Sequence, residues 1–191
     1  NARTAKAEHD YLFTFKRAIL FHKPSSKPPA VLSDLKNKSG LGIKSVYVNI
    51  SGPEITTKHS RAIIPLAERG NKVITLSDIE KVNEQARILG SSLEEEILHK
   101  FPASYTIDTK SNIVSPLGLY SHRLEVDLML VCVKLAVVQS LTRAVAQAGC
   151  EIKGFFNSGV ATCASVFGQN LREEFSLLCD MGSDITELVV F

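Results

Sequence analysis

The sequence predicts an α+β fold, a small antiparallel sheet covered by two helices, and three observations carry that reading. Leu124, Val126, Leu128, Leu130 and Cys132 alternate with Glu125 and Asp127, the period of a half-buried strand. Ser104-Tyr-Thr-Ile-Asp108 is rich in strand formers, so the sheet is expected over roughly 102–108 and 123–132. Two strands alone are marginal in water, and a helical stripe stands on either side of them, over 77–89 and 134–148.

The elements follow in order. Asn1 to Asp10 is polar and reads as a frayed terminus. Tyr11 to Phe21 reads as a strand, with Tyr11, Phe13 and Phe15 alternating, or as a short helix; both readings stand open. Lys23 to Pro29 holds three prolines and reads as a linker. Val31 to Lys38 predicts a short helix stopped by Gly40. Lys44 to Ile50 predicts a strand closed by Ser51-Gly-Pro53. Arg61 to Leu66 is short and apolar, and Pro65 confines it to a sheet edge. Arg69-Gly-Asn71 is a turn.

The first helix carries a start signal, since Ser77 and Glu80 have the spacing of a capping box. Its buried stripe is Ile79, Val82, Ala86 and Leu89, and Gly90 is placed to end it. Glu94–Glu96 reads as a solvated helix edge. Pro116 and Gly118 make 109–121 a turn-prone link between the strands. In the second helix Leu135, Val138, Leu141, Val145 and Ala148 form the stripe, with Gly149 as its C′ residue. Cys150 to Phe155 predicts a strand, and small residues over 160–166 suit a closely packed helix. After a polar loop at 168–174, 176–179 and 187–191 predict a hairpin. The chain stops inside its second strand, which predicts a piece of a longer protein.

Composition narrows the function classes. No apolar run approaches the roughly 18–20 residues of a membrane span, and no signal peptide opens the chain. Cys132, Cys150, Cys163 and Cys179 form no C-x-x-C pair and stand in apolar contexts, the pattern of reduced core thiols in a cytoplasmic protein. Residues 1–44 hold nine Lys/Arg against Glu8, Asp10 and Asp34, a balance of +6 within a chain total of +2, so the rest carries −4. This flank lacks the motifs of a nucleic-acid module and reads as a solvated basic segment, so no nucleic acid is expected as a partner.

The best candidate for chemistry is the turn Cys179-Asp-Met-Gly-Ser-Asp-Ile-Thr-Glu187. An acidic strand end followed by a tight glycine turn converges backbone N–H groups into an anion-binding concavity. His99 and Asp108 have no further groups supporting hydrolysis, and His99 reads as structural. Glu125 and Asp127 lie on the outer strand face, and no G-x-S-x-G elbow is present.

L-H-K-F-P-A-S-Y-T-I-D (98–108), P-L-G-L (116–119) and R-L-E-V (123–126), in that order, resemble the inserted subdomain of the FtsA family of bacterial cell-division proteins, over about 43–191. The resemblance implies an actin-like, ATP-binding family that ties the tubulin-like division ring to the membrane. It implies residues 1–42 as an unassigned basic flank and linker, 51–149 as the inserted subdomain, and 43–50 with 150–191 as part of an actin-like α/β domain. The family's second phosphate loop, D-[IV]-G-G-G-T-T-D, is matched by Asp180, Gly182 and Thr186. Ser183, Asp184 and Ile185 depart from it, and the first loop, D-x-G-[ST], has no counterpart. The implied nucleotide-binding set is therefore the degenerate loop Asp180, Gly182, Ser183 and Thr186, with no catalytic or metal-binding residue. ATP and Mg belong to the full-length family, and no cofactor is expected in this chain.

Three readings follow from the resemblance. The first is a scaffold fragment that self-associates and meets other division proteins, at the cytoplasmic face of the inner membrane. Contacts with the division ring and the membrane then lie in regions outside this chain. The second is an ATP-binding or hydrolysing protein whose remaining site lies outside the chain, which leaves enzyme status open. The third is a pilus-assembly relative, against which the L-H-x-x-P and P-L-G-L elements favour division.

Overall fold

The computed structural model describes residues 37–38, 40, 42–67, 70–167, 177–182 and 186–190. Its elements are β1 (Ser45–Ile50), β2 (Ile55–Pro65), β3 (Lys72–Val73), α1 (Leu76–Gly90), β4 (Glu95–Ile107), β5 (Lys110–Ile113), β6 (Tyr120–Ser121), β7 (Arg123–Lys134), α2 (Leu135–Gln147), β8 (Glu151–Asn157), α3 (Ser158–Phe167), β9 (Leu177–Met181) and β10 (Thr186–Val190). The α+β class holds. The chain divides into two units, Ile55–Leu135 and the segments on either side of it.

The Ile55–Leu135 unit is built on β7. Antiparallel neighbours flank it in the order β2-β7-β4-β5. Leu124, Val126, Leu128, Leu130 and Cys132 have no exposed surface. They meet Val82 and Ala86 of α1, with Ile79 packed alongside. The helix comes down close because its facing residues are small. Ser60 of β2 donates from Oγ to the Ala86 carbonyl at 2.7 Å. A Cβ on Gly90 would fall 2.4 Å from Leu130 Cδ1 and 2.8 Å from Ser60 Cβ. Gly90 is thus the last helical residue, required for close approach, and Ser91 is the C-cap.

The start of α1 corrects the sequence reading. Thr75 and Asp78 form the capping box, two residues before the Ser77/Glu80 pair that has the same spacing. The Thr75 hydroxyl, donating to the Asp78 carboxylate at 2.6 Å, and then Lys72 at 3.0 Å, hold that buried carboxyl at about 2. Lys72 lies on β3, so the choice of cap is made partly by tertiary contact. Leu89, expected in the stripe, is 64% exposed. Ala86 and Gly90 set the line of closest approach, and Leu89 lies to one side of it.

Strands are longer than the apolar patterns suggested. β4 begins at Glu95, so Glu95 and Glu96 open a strand, Glu94 ends the turn before it, and the run is not a helix edge. Glu95 forms an ion pair with Lys58 from β2. Register shifts between Ile97 and His99 and between Pro102 and Ser104 let a proline sit inside the strand. β2 is an edge strand, as Pro65 indicated, but starts at Ile55. The 109–121 link contains β5 and β6. Asp108 turns the chain with φ 51°, and its carboxylate accepts from Ser121 Oγ at 2.9 Å and the His122 N–H at 3.2 Å. Gly118, with φ 82°, donates to the Ile74 carbonyl at 3.0 Å and seats the loop against the β3–β6 ribbon.

The other unit pairs β1 with β8 in parallel, from Ser45↔Glu151 to Ile50↔Asn157. Parallel neighbours need a crossover, and here it spans the whole of the first unit together with α2. α2 belongs to this second unit rather than covering the four-stranded sheet: Leu141, Val145 and Ala148 pack with Val46, Val48 and Cys150. Gly149, with φ 74°, terminates it as a C′ glycine. β9 and β10 form the predicted hairpin. Cys132, Cys150 and Cys163 are buried, and burial pushes the Cys163 thiol up to about 11. Cys179 is a correction: it is exposed on the two-stranded hairpin, which has no second layer over that face among the described residues. The readings for 11–21, the 23–29 linker, 31–36, Arg69 and the 168–174 loop fall outside the described residues.

Candidate functional site

β1 and β8 end side by side at Ile50 and Asn157, and polar groups gather at those carboxyl ends, as in open α/β sheets. Asn157 ends β8 and caps α3: its Oδ1 accepts from the Val160 N–H at 3.0 Å. Its Nδ2 donates to the Ile50 carbonyl at 3.3 Å and to Glu187 Oε1 at 3.5 Å. Ser158 Oγ donates to the same carbonyl at 3.4 Å and accepts from Asn49 Nδ2 at 3.2 Å. Gly159 lets α3 approach β10, since a Cβ there would stand 2.6 Å from Val189 Cγ2.

The hairpin brings two carboxylates to this cluster. Asp180 on β9 stands opposite Glu187 on β10, and Thr186 stands opposite Met181. Burial first, then the neighbouring Asp180 charge, pushes the Glu187 carboxyl up, while Asn157 and the Gly52 N–H oppose the shift. Of the predicted nucleotide set, Asp180 and Thr186 are on facing strands and Gly182 follows β9. Ser183 lies outside the described residues. Opposed carboxylates disfavour an anionic ligand. The sequence reading missed Asn49, Asn157 and Ser158, and held Glu187 only as the end of the candidate turn; the available signal was Asn157-Ser-Gly159 closing a strand before a small-residue helix, an N-cap pattern.

In the Ile55–Leu135 unit, the sheet face opposite α1 is polar at one side. Asp127 Oδ1 lies 2.6 Å from His59 Nδ1, and its Oδ2 accepts from Arg61 Nε at 2.9 Å. These donors hold its carboxyl below the usual range against the opposing effect of burial. Asp127 is therefore neutralised within the sheet and is not an open acidic patch. His99 stacks on Phe101 with ring centroids 5.9 Å apart, and burial lowers its pKa. His99 and Asp108 stand nine positions apart along the β4 side of the sheet, and the Asp108 carboxylate is engaged with 121–123. Among the described residues no group of three or more His, Cys, Asp or Glu is placed to hold a metal ion, and no helix is long and apolar enough to cross a membrane.

Comparisons with known proteins find relatives of this sequence. The model of a family described as "SHS2 domain inserted in FTSA" matches residues 45–132. The chain is 25% identical over 160 residues to the cell division protein FtsA of Pseudomonas aeruginosa, covering 84% of this chain and 38% of that protein. It is 26% identical over 149 residues to FtsA of Escherichia coli K12, covering 78% and 35%. To FtsA of Borreliella burgdorferi it is 26% identical over 153 residues, covering 80% and 37%. The chain thus spans little more than a third of the length of these relatives. A solved structure described as "PilM-PilN type IV pilus biogenesis complex" matches with a TM-score of 0.49 and 17% identity, over 91% of this chain and 48% of that one.

Proposed function

We propose, on the match of residues 45–132 to the SHS2 domain inserted in FtsA, that this chain is part of a bacterial cell-division scaffold acting through protein–protein contacts. The single observation that carries the reading is that match, continued by FtsA relatives over most of the chain. The full-length protein then works at the cytoplasmic face of the inner membrane at the division site. Its contacts with the division ring and the membrane lie outside this segment. Self-association and other division proteins are the partners of this part.

The alternative is an actin-like ATP-binding protein, favoured by Asp180, Gly182 and Thr186 on a hairpin beside the β1–β8 strand ends. Against nucleotide binding by this chain stand the Asp180/Glu187 opposition and the substitutions Asp184 and Ile185. A side chain and a negative charge replace glycine at Asp184, and a hydroxyl donor is lost at Ile185. The scaffold reading expects no heat on calorimetric titration of the chain with Mg-ATP at micromolar concentration. It expects a fluorescent fusion of the full-length protein to form a band at mid-cell. Saturable heat returns the nucleotide-binding reading, and diffuse fluorescence ends the division reading.

A further inference from the structure

Two histidines of the Ile55–Leu135 unit are equally exposed beside a carboxylate and differ in how they meet it. The His59 side chain is 57% exposed and that of His122 is 58%. His122 Nδ1 lies 3.8 Å from Asp108, whose carboxylate already accepts from Ser121 Oγ and the His122 and Arg123 N–H groups. His59 Nδ1 lies 2.6 Å from Asp127 Oδ1. Arg61 fixes that carboxylate through its other oxygen, with Nε and a terminal nitrogen each at 2.9 Å.

That contact sets the chemistry of the His59 ring. Against the pull of burial, hydrogen bonds from His59 and Arg61 hold the Asp127 carboxyl below its usual range, so it accepts and Nδ1 carries the proton. The lone pair of the neutral ring is then on Nε2, which has no partner among the described residues. His59 lies on β2, an edge strand, so a small reagent reaches it without a pocket. Arg61 shares its face, roughly 7 Å along the strand. Both Arg61 contacts go to one Asp127 oxygen, which leaves Nη1 free to donate to an oxyanion. Arg61 and Asp127 balance in charge. The group therefore offers an oriented nucleophile with a donor beside it, not a net field.

We propose that His59 is a phosphoryl-acceptor site and that Asp127 is the residue that positions its ring. The Nε2 lone pair attacks the phosphorus of a small activated donor, an acyl phosphate or a phosphoramidate. The P–Nε2 bond forms as the bond to the leaving group breaks, and the leaving group keeps that electron pair. A carboxylate departs as the anion, and an already protonated amine departs neutral. The ring becomes cationic in this step, and Asp127 stabilises it as the carboxylate of a serine-protease triad stabilises its histidine. The product turns a charge-balanced group on the β2 edge into an anionic one. Nothing in this inference depends on the scaffold reading.

The test treats the whole chain with potassium phosphoramidate and follows His59 and His122 by peptide mapping in the mass spectrometer, under alkaline handling that preserves the P–N bond. His59 should react about tenfold faster than His122, the effect of one charge-assisted hydrogen bond that strengthens as the ring becomes cationic. Asp127→Asn, checked for folding by circular dichroism, should bring His59 down to the His122 rate and leave His122 unchanged. Arg61→Ala should slow phosphoramidate at His59 more than it slows diethyl pyrocarbonate, a neutral acylating reagent. Equal rates at the two histidines, an Asp127→Asn chain as reactive as wild type, or an Arg61→Ala loss equal for both reagents overturns the proposal. If Asp127→Asn does not fold, the ratio of the two histidines and the Arg61→Ala comparison decide it.

Discussion

β7 and the β9–β10 hairpin are both rich in apolar residues and meet different fates. In β7 every inward residue from Leu124 to Cys132 is sealed, because strands flank it on both sides and α1 covers it. On the hairpin Leu177, Leu188 and Val190 are 64–67% exposed. Alternation states which face wants burial; burial itself depends on a second layer. The Ile55–Leu135 unit supplies that layer from its own residues. The core of the other unit is a small cluster of Val46, Val48, Val145 and Cys150.

The contrast breaks most readily through matched deletions. Leu128→Ala removes a fully buried side chain and should cost about 2–5 kcal/mol in urea unfolding, whereas Leu188→Ala, 65% exposed, should cost less than about 1 kcal/mol. Equal costs would show the hairpin to be as well covered as β7. Gly90→Ala is expected next, at about 1–3 kcal/mol, since its methyl enters space held by Leu130 and Ser60. Gly154→Ala meets the Tyr47 ring at 3.3 Å and should cost less, because that contact asks for a shift of only a few tenths of an ångström.

Thr75→Ala sharpens the comparison with a pH dependence. The cap it removes is worth about 1 kcal/mol at neutral pH. The Asp78 carboxyl is depressed from 3.8 to about 2, so its contribution is fully present above the ordinary value and is lost as pH falls through about 2. The stability gap between wild type and Thr75→Ala should therefore close across that interval. A gap unchanged down to pH 2 would remove Asp78 from the cap. The smallest effect is expected at the surface: Arg61→Ala should change stability by less than about 1 kcal/mol, since its partner Asp127 keeps His59.

What could be read from the sequence follows the range of the forces involved. β7 and α2 are written in local periodicity and the hairpin in two apolar runs about a turn, and each lies within a residue or two of expectation. The start of α1 was displaced because two cap-like pairs overlap and the deciding cation, Lys72, comes from another element. The amino-terminal half of β4 and the Thr-Thr-Lys-His start of β2 hide because they are polar and held by long-range pairing, such as Lys58 to Glu95. The hairpin set Asp180, Gly182 and Thr186 was local and could be named. Asn49, Asn157 and Ser158 converge only through β1–β8 pairing across a separation of more than 100 residues, which no window of sequence displays.

The pairing of Ile55 with Val133 sets how the Ile55–Leu135 unit bears load. Both of its chain ends leave from the same end of the β2–β7 ladder, so tension between residues 54 and 136 opens that ladder like a zipper. The rungs then break one at a time and never share the force. A pull transmitted along the backbone would peel β2 away at low force, while the same pull applied between the opposite ends of β2 and β7 would have to shear all eleven paired positions together.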